Sequence, residues 1–138
     1  MHFALETDYA VRMIAVLADS TQSGTESMGA AALGEAACIP KPTALKVLRL
    51  LKDKGIIHST VGSSGGYRLA RAPGEITLAN VIEALEGRIE ISRCISDSYE
   101  CSRTGSEHEG CKFHRLFREM NDKLRAELDN VTFEGKNL

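Results

Sequence analysis

From Thr7 to Ser20 apolar side chains recur at Tyr9, Val11, Met13, Ile14, Val16 and Leu17. That density predicts a first helix buried over much of its circumference, with Thr7 or Asp8 as its N-cap. The polar run QSGTESMG breaks the pattern and reads as a loop. AAALGEAA then predicts a short alanine-rich helix, Cys38-Ile39-Pro40 interrupts it, and KPTALKVLRLLKDKG predicts a second helix with Pro42 in its first turn and Gly55 at its stop. In this second helix Leu45, Val47, Leu48 and Leu51 form the expected inner face, leaving Lys41, Lys46, Arg49 and Lys52 outside.

The period then changes from helical to strand-like. IIHSTV and YRLA are joined by GSSGG, a hairpin with an exposed tip. In ITLANVIEALEG, Leu78, Val81, Ile82 and Leu85 return to helical spacing, with Thr77 as cap and Gly87 as stop. KFHRLFREMNDKLRAELDNV carries Phe113, Leu116, Phe117, Met120, Leu124, Leu128 and Val131 on one stripe of about five turns. A stripe of that length calls for a partner, expected to be the same helix of a second subunit rather than the chain's own domain. FEGKNL reads as a frayed tail.

Helix, tight turn, helix and hairpin in that order predict a winged helix-turn-helix: a mainly α fold with a small β-hairpin wing and a long C-terminal dimerisation helix. The expected division is a DNA-binding domain over 1–87, a cysteine-bearing loop over 88–111, and the dimerisation helix and tail over 112–138. A chain of 138 residues, 43% of them hydrophobic, supports one domain with a modest core. No apolar run approaches the roughly 18 residues of a membrane span, and MHFALETDYAVR is acidic where a signal peptide is basic. The expected location is the cytoplasm.

A net charge of −2 argues against nucleic acid until it is divided along the chain. Residues 1–40 hold one basic and five acidic residues, 41–71 seven basic and one acidic, and 72–138 nine basic and thirteen acidic. One strongly basic block thus lies inside an acidic chain, and it coincides with the second helix and the hairpin. That is the electrostatic footprint of a phosphate-contacting face. Alone, a short helix-turn-helix is more often a packing corner; combined with a wing and a basic block it points to DNA. The expected contacts are Lys41, Thr43, Lys46 and Arg49 on the helix and Ser63, Ser64 and Arg68 on the wing. Gly62, Ser64 and Gly66 also satisfy the G-x-S-x-G pattern of a serine-hydrolase elbow, but a strand follows where that chemistry needs a helix, so no enzyme is expected.

CISDSYECSRTGSEHEGCKFH places Cys94, Cys101, Cys111 and His114 in a polar segment with only Ile95, Tyr99 and Phe113 to bury. In a reducing compartment such cysteines serve as metal ligands or redox centres, not disulfides. Structural zinc sites bring ligands in tight pairs, and only C-x2-H resembles one. Thiolates scattered over a loop suit an iron–sulfur cluster, with zinc and redox-active free thiols remaining as the other readings. Cys38 is expected to be a small buried residue.

TDYAVRMIAVLA, LGEAACIPKPTALKVLRLLKDKGII, GGYRLAR and EITLANVIEALEG together resemble the family of winged-helix bacterial transcriptional regulators that includes IscR, NsrR and CymR. The resemblance implies a dimer held by the last helices, two recognition helices presented to a pseudo-palindromic operator, and a cluster near the dimer interface that modulates DNA binding as iron, redox or nitric-oxide status changes. Cluster-binding members use three cysteines, matched by Cys94, Cys101 and Cys111. IscR-like members add a histidine three residues after the third cysteine, matched by His114; NsrR-like members add an aspartate near the N-terminus, matched by Asp8. The implied cluster is 2Fe–2S, with 4Fe–4S as the alternative. CymR-like members hold no cluster and act through a partner protein, and a zinc-stabilised interaction module is the further alternative. Two departures stand out: the cysteines are more widely spaced than usual, and Val61 stands before the wing's first glycine, where many members carry a minor-groove arginine.

Overall fold

The computed structural model describes residues 2–138. Five helices and one hairpin follow in the order α1 (Leu5–Gln22), α2 (Ala30–Ala36), α3 (Lys41–Asp53), β1 (Ile57–Thr60), β2 (Gly66–Leu69), α4 (Leu78–Glu86) and α5 (Lys112–Asn130), with single 3-10 turns at Pro73–Glu75 and Arg93–Ile95. This is the expected winged helix. The main core gathers Met13, Ile14 and Leu17 of α1, Leu33 of α2, Val47, Leu48 and Leu51 of α3, Ile57 of β1 and Val81 of α4. The apolar positions that repeat at helical spacing therefore converge from four helices on one centre.

The wing is antiparallel, with Ile57 opposite Leu69, His58 opposite Arg68, Ser59 opposite Tyr67 and Thr60 opposite Gly66. Met28, within the stretch expected to be a plain loop, adds a bridge to its other edge by exchanging two backbone hydrogen bonds with Tyr67 at 2.8 and 3.0 Å. Gly66 makes that approach feasible: its φ is +152°, and a Cβ there would stand 2.6 Å from the Met28 carbonyl oxygen.

Four expectations fail, two of them because distant residues intervene and two because of the local backbone. α1 begins at Leu5, and neither Thr7 nor Asp8 caps it. Thr7 is buried, and the Glu86 carboxylate at the end of α4 takes the cap's place, its Oε1 accepting from the Ala4 N–H and the Thr7 hydroxyl at 2.6 Å each. Leu45 is 43% exposed, because Ala44 rather than Leu45 completes the inner arc with Val47, Leu48 and Leu51. Cys38 is exposed. Its φ of +55° ends the α2 turn in the left-handed region, and Ile39 fills the core instead.

The tail, finally, is not frayed. Phe133 is buried in the main core, its N–H reaching the Pro73 and Ile76 carbonyls, while Leu78 N–H donates to the Val131 carbonyl at 2.8 Å. Asn137 then pins the strap to α1 by donating from its backbone and its side chain to Asp19 Oδ1 at 2.9 and 2.8 Å.

α4 follows its reading closely. Thr77 Oγ1 accepts from the Asn80 N–H, and Asn80 Oδ1 accepts in return from the Thr77 N–H, both at 3.1 Å. The α5 stripe divides into two parts. Leu124 and Leu128 pack on Ala79, Ile82 and Ile89 of the same chain, whereas Phe113, Leu116 and Met120 remain 59%, 49% and 49% exposed.

Candidate functional site

Two regions carry the residues singled out in the sequence. On α3, Lys41, Leu45, Arg49 and Lys52 share one outward arc, with Lys46 at its edge and Thr43 half-buried behind. A helix with one buried and one basic arc has the shape and charge to enter a major groove. Leu45, expected on the inner face, sits among the lysines, a position from which an apolar side chain could reach a thymine methyl. Its i±4 relation to Lys41 and Arg49 is the signal that placed it there. Ser63 and Ser64 lie exposed at the wing tip and Arg68 on the outer face of β2. The wing tip is tethered by the Ser27 hydroxyl, which donates to the Ser64 carbonyl at 3.1 Å. One contact had no signal in the sequence: Lys46 Nζ donates to Glu6 Oε1 at 2.8 Å, and the ammonium holds the Glu6 carboxyl below its usual range.

The second region is the loop from Gly87 to Cys111, wrapped on the first half of α5. Asn121, a polar residue inside the apolar stripe, clamps its start: Oδ1 accepts from the Ile91 N–H at 3.0 Å and Nδ2 donates to the Ile89 carbonyl at 2.9 Å. Cys111 is the N-cap of α5, its sulfur accepting from the His114 N–H at 3.5 Å. His114 Nδ1 lies 2.8 Å from the Cys94 carbonyl oxygen. A carbonyl only accepts, so Nδ1 carries a proton, and in the neutral ring Nε2 is then the nitrogen with the lone pair a metal ligand needs. The His114 ring is further fixed by stacking on His108, with centroids 4.1 Å apart, and His108 stacks in turn on Tyr99. His108 is buried with a left-handed φ of +51°, a conformation uncommon outside glycine that the stack makes use of.

Cys101 and Gly105 close a tight turn by exchanging backbone hydrogen bonds at 2.8 and 3.2 Å. The Thr104 hydroxyl is buried beside the Cys101 sulfur and has no hydrogen-bond partner of good geometry among the described residues. The nearness of that hydroxyl, with the Arg103 and Thr104 N–H groups, draws the Cys101 thiol below its ordinary range. Cys101 and Cys111 line one cavity of about 340 Å³. Of the three apolar residues of the segment only Ile95 is buried; Tyr99 and Phe113 are exposed, Tyr99 serving instead as the end of the ring stack.

The structure thus joins His114 to Cys111 through its backbone N–H and to Cys94 through that residue's carbonyl, and sets Cys101 and Cys111 along one cavity. It does not bring Asp8 to them. Asp8 is exposed on α1, paired with Arg12 at 2.6 Å, and lines a cavity with Leu128. Leu128 is roughly 25 Å along α5 from Cys111 at 1.5 Å per residue. The donor set, three thiols and an imidazole with a free Nε2, has the soft chemistry of a mixed-ligand iron–sulfur site. Among the described residues no three such donors converge on one point, so full coordination would require the loop to bring Cys94 and Cys101 as well as the His114 ring onto Cys111.

The sequence profile of Rrf2, described as iron-dependent transcriptional regulator, matches residues 4–135. IscR of Pectobacterium carotovorum is 30% identical over 61% of this chain and 48% of its own length, and an rrf2-like HTH-type regulator named from Rhodobacter capsulatus is 24% identical over 91% of this chain and 85% of its own. The chain therefore spans about half the length of the IscR relative, and 65% of an HTH-type relative from Aquifex aeolicus. In fold it resembles CymR of Bacillus subtilis, with a TM-score of 0.74, 21% identity and coverage of 97% and 94% of the two chains. It also resembles IscR of T. potens, with a TM-score of 0.70, 20% identity and coverage of 96% and 83%. With a winged helix, a basic recognition helix and a family match over nearly its whole length, the chain belongs to the Rrf2 family of transcriptional regulators.

Proposed function

We propose that this regulator binds operator DNA as a homodimer and that an iron–sulfur cluster held by Cys94, Cys101, Cys111 and His114 modulates that binding. The observation that carries the reading is the contact set at the head of α5: Cys111 caps the helix, and His114 reaches back to the Cys94 backbone with its Nε2 free. When bound, the cluster supplies a centre sensitive to redox change, nitric oxide and iron supply. The chain's own residues do the rest. Lys41, Thr43, Lys46 and Arg49 address the major groove and its phosphates, while Ser63, Ser64 and Arg68 follow the adjoining backbone. The exposed Phe113, Leu116 and Met120 of α5 supply a seam to a second copy. Asp8 is the alternative fourth ligand, reaching the site only from the second copy given its distance within one chain.

Anaerobic purification with an absorption spectrum and iron and sulfide analysis tests the reading. Equal iron and sulfide at two per protomer is the expected result for 2Fe–2S; four of each identifies 4Fe–4S. His114→Ala and Asp8→Ala, compared after reconstitution, assign the fourth ligand. A colourless, iron-free protein refutes the cluster. That result favours the second reading, a CymR-like regulator working without a cofactor, which the unconverged donors also support. One tetrahedral zinc per protomer would instead mark an interaction module.

A further inference from the structure

Lys46 is the recognition-helix cation whose ammonium is already engaged. Its Nζ meets Glu6 Oε1 at 2.8 Å, across forty residues of sequence, with both side chains reachable by solvent. A carboxylate oxygen at that distance makes the same charge-assisted contact that a DNA phosphate oxygen makes with a lysine. Glu6 is not free to swing away on a loose terminus. It sits in the first turn of α1, which Glu86 holds through the Ala4 N–H and the buried Thr7 hydroxyl. Glu86 is the last residue of α4, immediately before Gly87, where the cysteine loop departs.

We propose that Glu6 is an intramolecular stand-in for DNA phosphate at Lys46, an autoinhibitory contact that lowers the protein's affinity for DNA and opens when α3 seats in the groove. The inference rests on the reading of the α3 face as the DNA-contacting one. The pair is solvent-reached and hence exchangeable, so it tunes affinity instead of blocking binding. Any change that shifts the first turn of α1 at its Glu86 anchor alters how firmly Lys46 is held.

The test is a double-mutant cycle on the full-length protein, with a fluorescein-labelled mixed-sequence duplex as probe at about 0.15 M salt, where the Debye length near 8 Å suppresses long-range charge effects. Glu6→Gln is expected to tighten binding about two- to fivefold, the range of an exposed ion pair. In a Lys46→Ala background the same change should give a smaller gain. A gain equal or larger in that background shows that only a repulsive charge was removed, and overturns the inference; so does an unchanged Kd for Glu6→Gln where Lys46→Ala alone weakens binding. If Lys46→Ala leaves binding unaltered, the DNA face itself is refuted and the inference falls with it, an outcome distinguishable from the other two. Circular dichroism and thermal melts of each variant confirm that the fold is retained.

Discussion

Replacing Asn121 by leucine should loosen the cysteine loop from α5 at a cost that can be worked out from two hydrogen bonds. Asn121 is 8% exposed and lies on the apolar stripe, so leucine fits its surroundings and leaves little void. What it leaves behind is the Ile89 carbonyl, in a buried contact, and the Ile91 N–H, in a partly buried one. A buried polar group deprived of its partner costs about 1–3 kcal/mol, and water recovers part of that at Ile91. The expected destabilisation is therefore about 2–4 kcal/mol, or a fall in melting temperature of roughly 6–16 °C for a chain of this size. Urea unfolding at fixed protomer concentration measures it, the concentration being held because dimerisation adds to apparent stability. Amide exchange supplies the local readout, with faster exchange at Ile91 than in α3. A midpoint within about 0.5 kcal/mol of wild type would refute the clamp and with it the view that Asn121 interrupts the stripe for a structural purpose.

Lys46→Ala with Arg49→Ala is expected to lower the log–log salt slope of DNA binding by roughly 1.8, at about 0.9 per phosphate contact; an unchanged slope in the folded variant removes this face. Leu116→Glu with Met120→Glu should yield monomers in sedimentation, since charges on a closed helix seam are costly, and a persistent dimer would place the interface elsewhere. Burial pushes the Asp19 carboxyl up, but hydrogen bonds from the Asn137 side chain and N–H and the Leu138 N–H, with Lys136 nearby, outweigh it and hold the carboxyl below its usual range. The folded pKa being depressed, the strap's contribution is fully present above the unfolded value of about 3.9 and is lost as pH falls through the folded one. Amide signals of Asn137 and Leu138 should move together in that acid window and stay put in Asp19→Asn.

The winged helix was legible because its signals are local. The reciprocal Thr77 and Asn80 cap, the hairpin glycines and the Val47, Leu48 and Leu51 arc each lie within a few residues of the structure they specify. The basic block marked, for the same reason, the surface proposed to face the groove. What escaped the sequence depends on residues far apart in the chain. Glu86 caps a helix 79 residues before it, Asp19 recruits a tail 118 residues after it, and Glu6 engages Lys46. Leu45 misled by residue type where its angular position was the better guide. In the loop, cysteine spacing and resemblance supplied only the proposed donors, and the ring stack had no signal, because it requires His108 to adopt a left-handed backbone that no local pattern announces.

The strap gives α5 the mechanics of a lever. Its far end is a fulcrum, fastened to the winged-helix body through Val131, Phe133 and Asn137, while its near end is gripped by the cysteine loop. Nineteen residues make a beam of about 28 Å, so a displacement of about 2 Å at Cys111 tilts the beam by about 4° about that fulcrum. Phe113, Leu116 and Met120 lie on the half that such a displacement would move, and the fulcrum bears on the winged-helix body. In the proposed dimer, a small rearrangement among the thiols would thus first reset the angle between the two protomers. The separation of the two α3 helices, which must match one turn of DNA at about 34 Å, would follow from that angle.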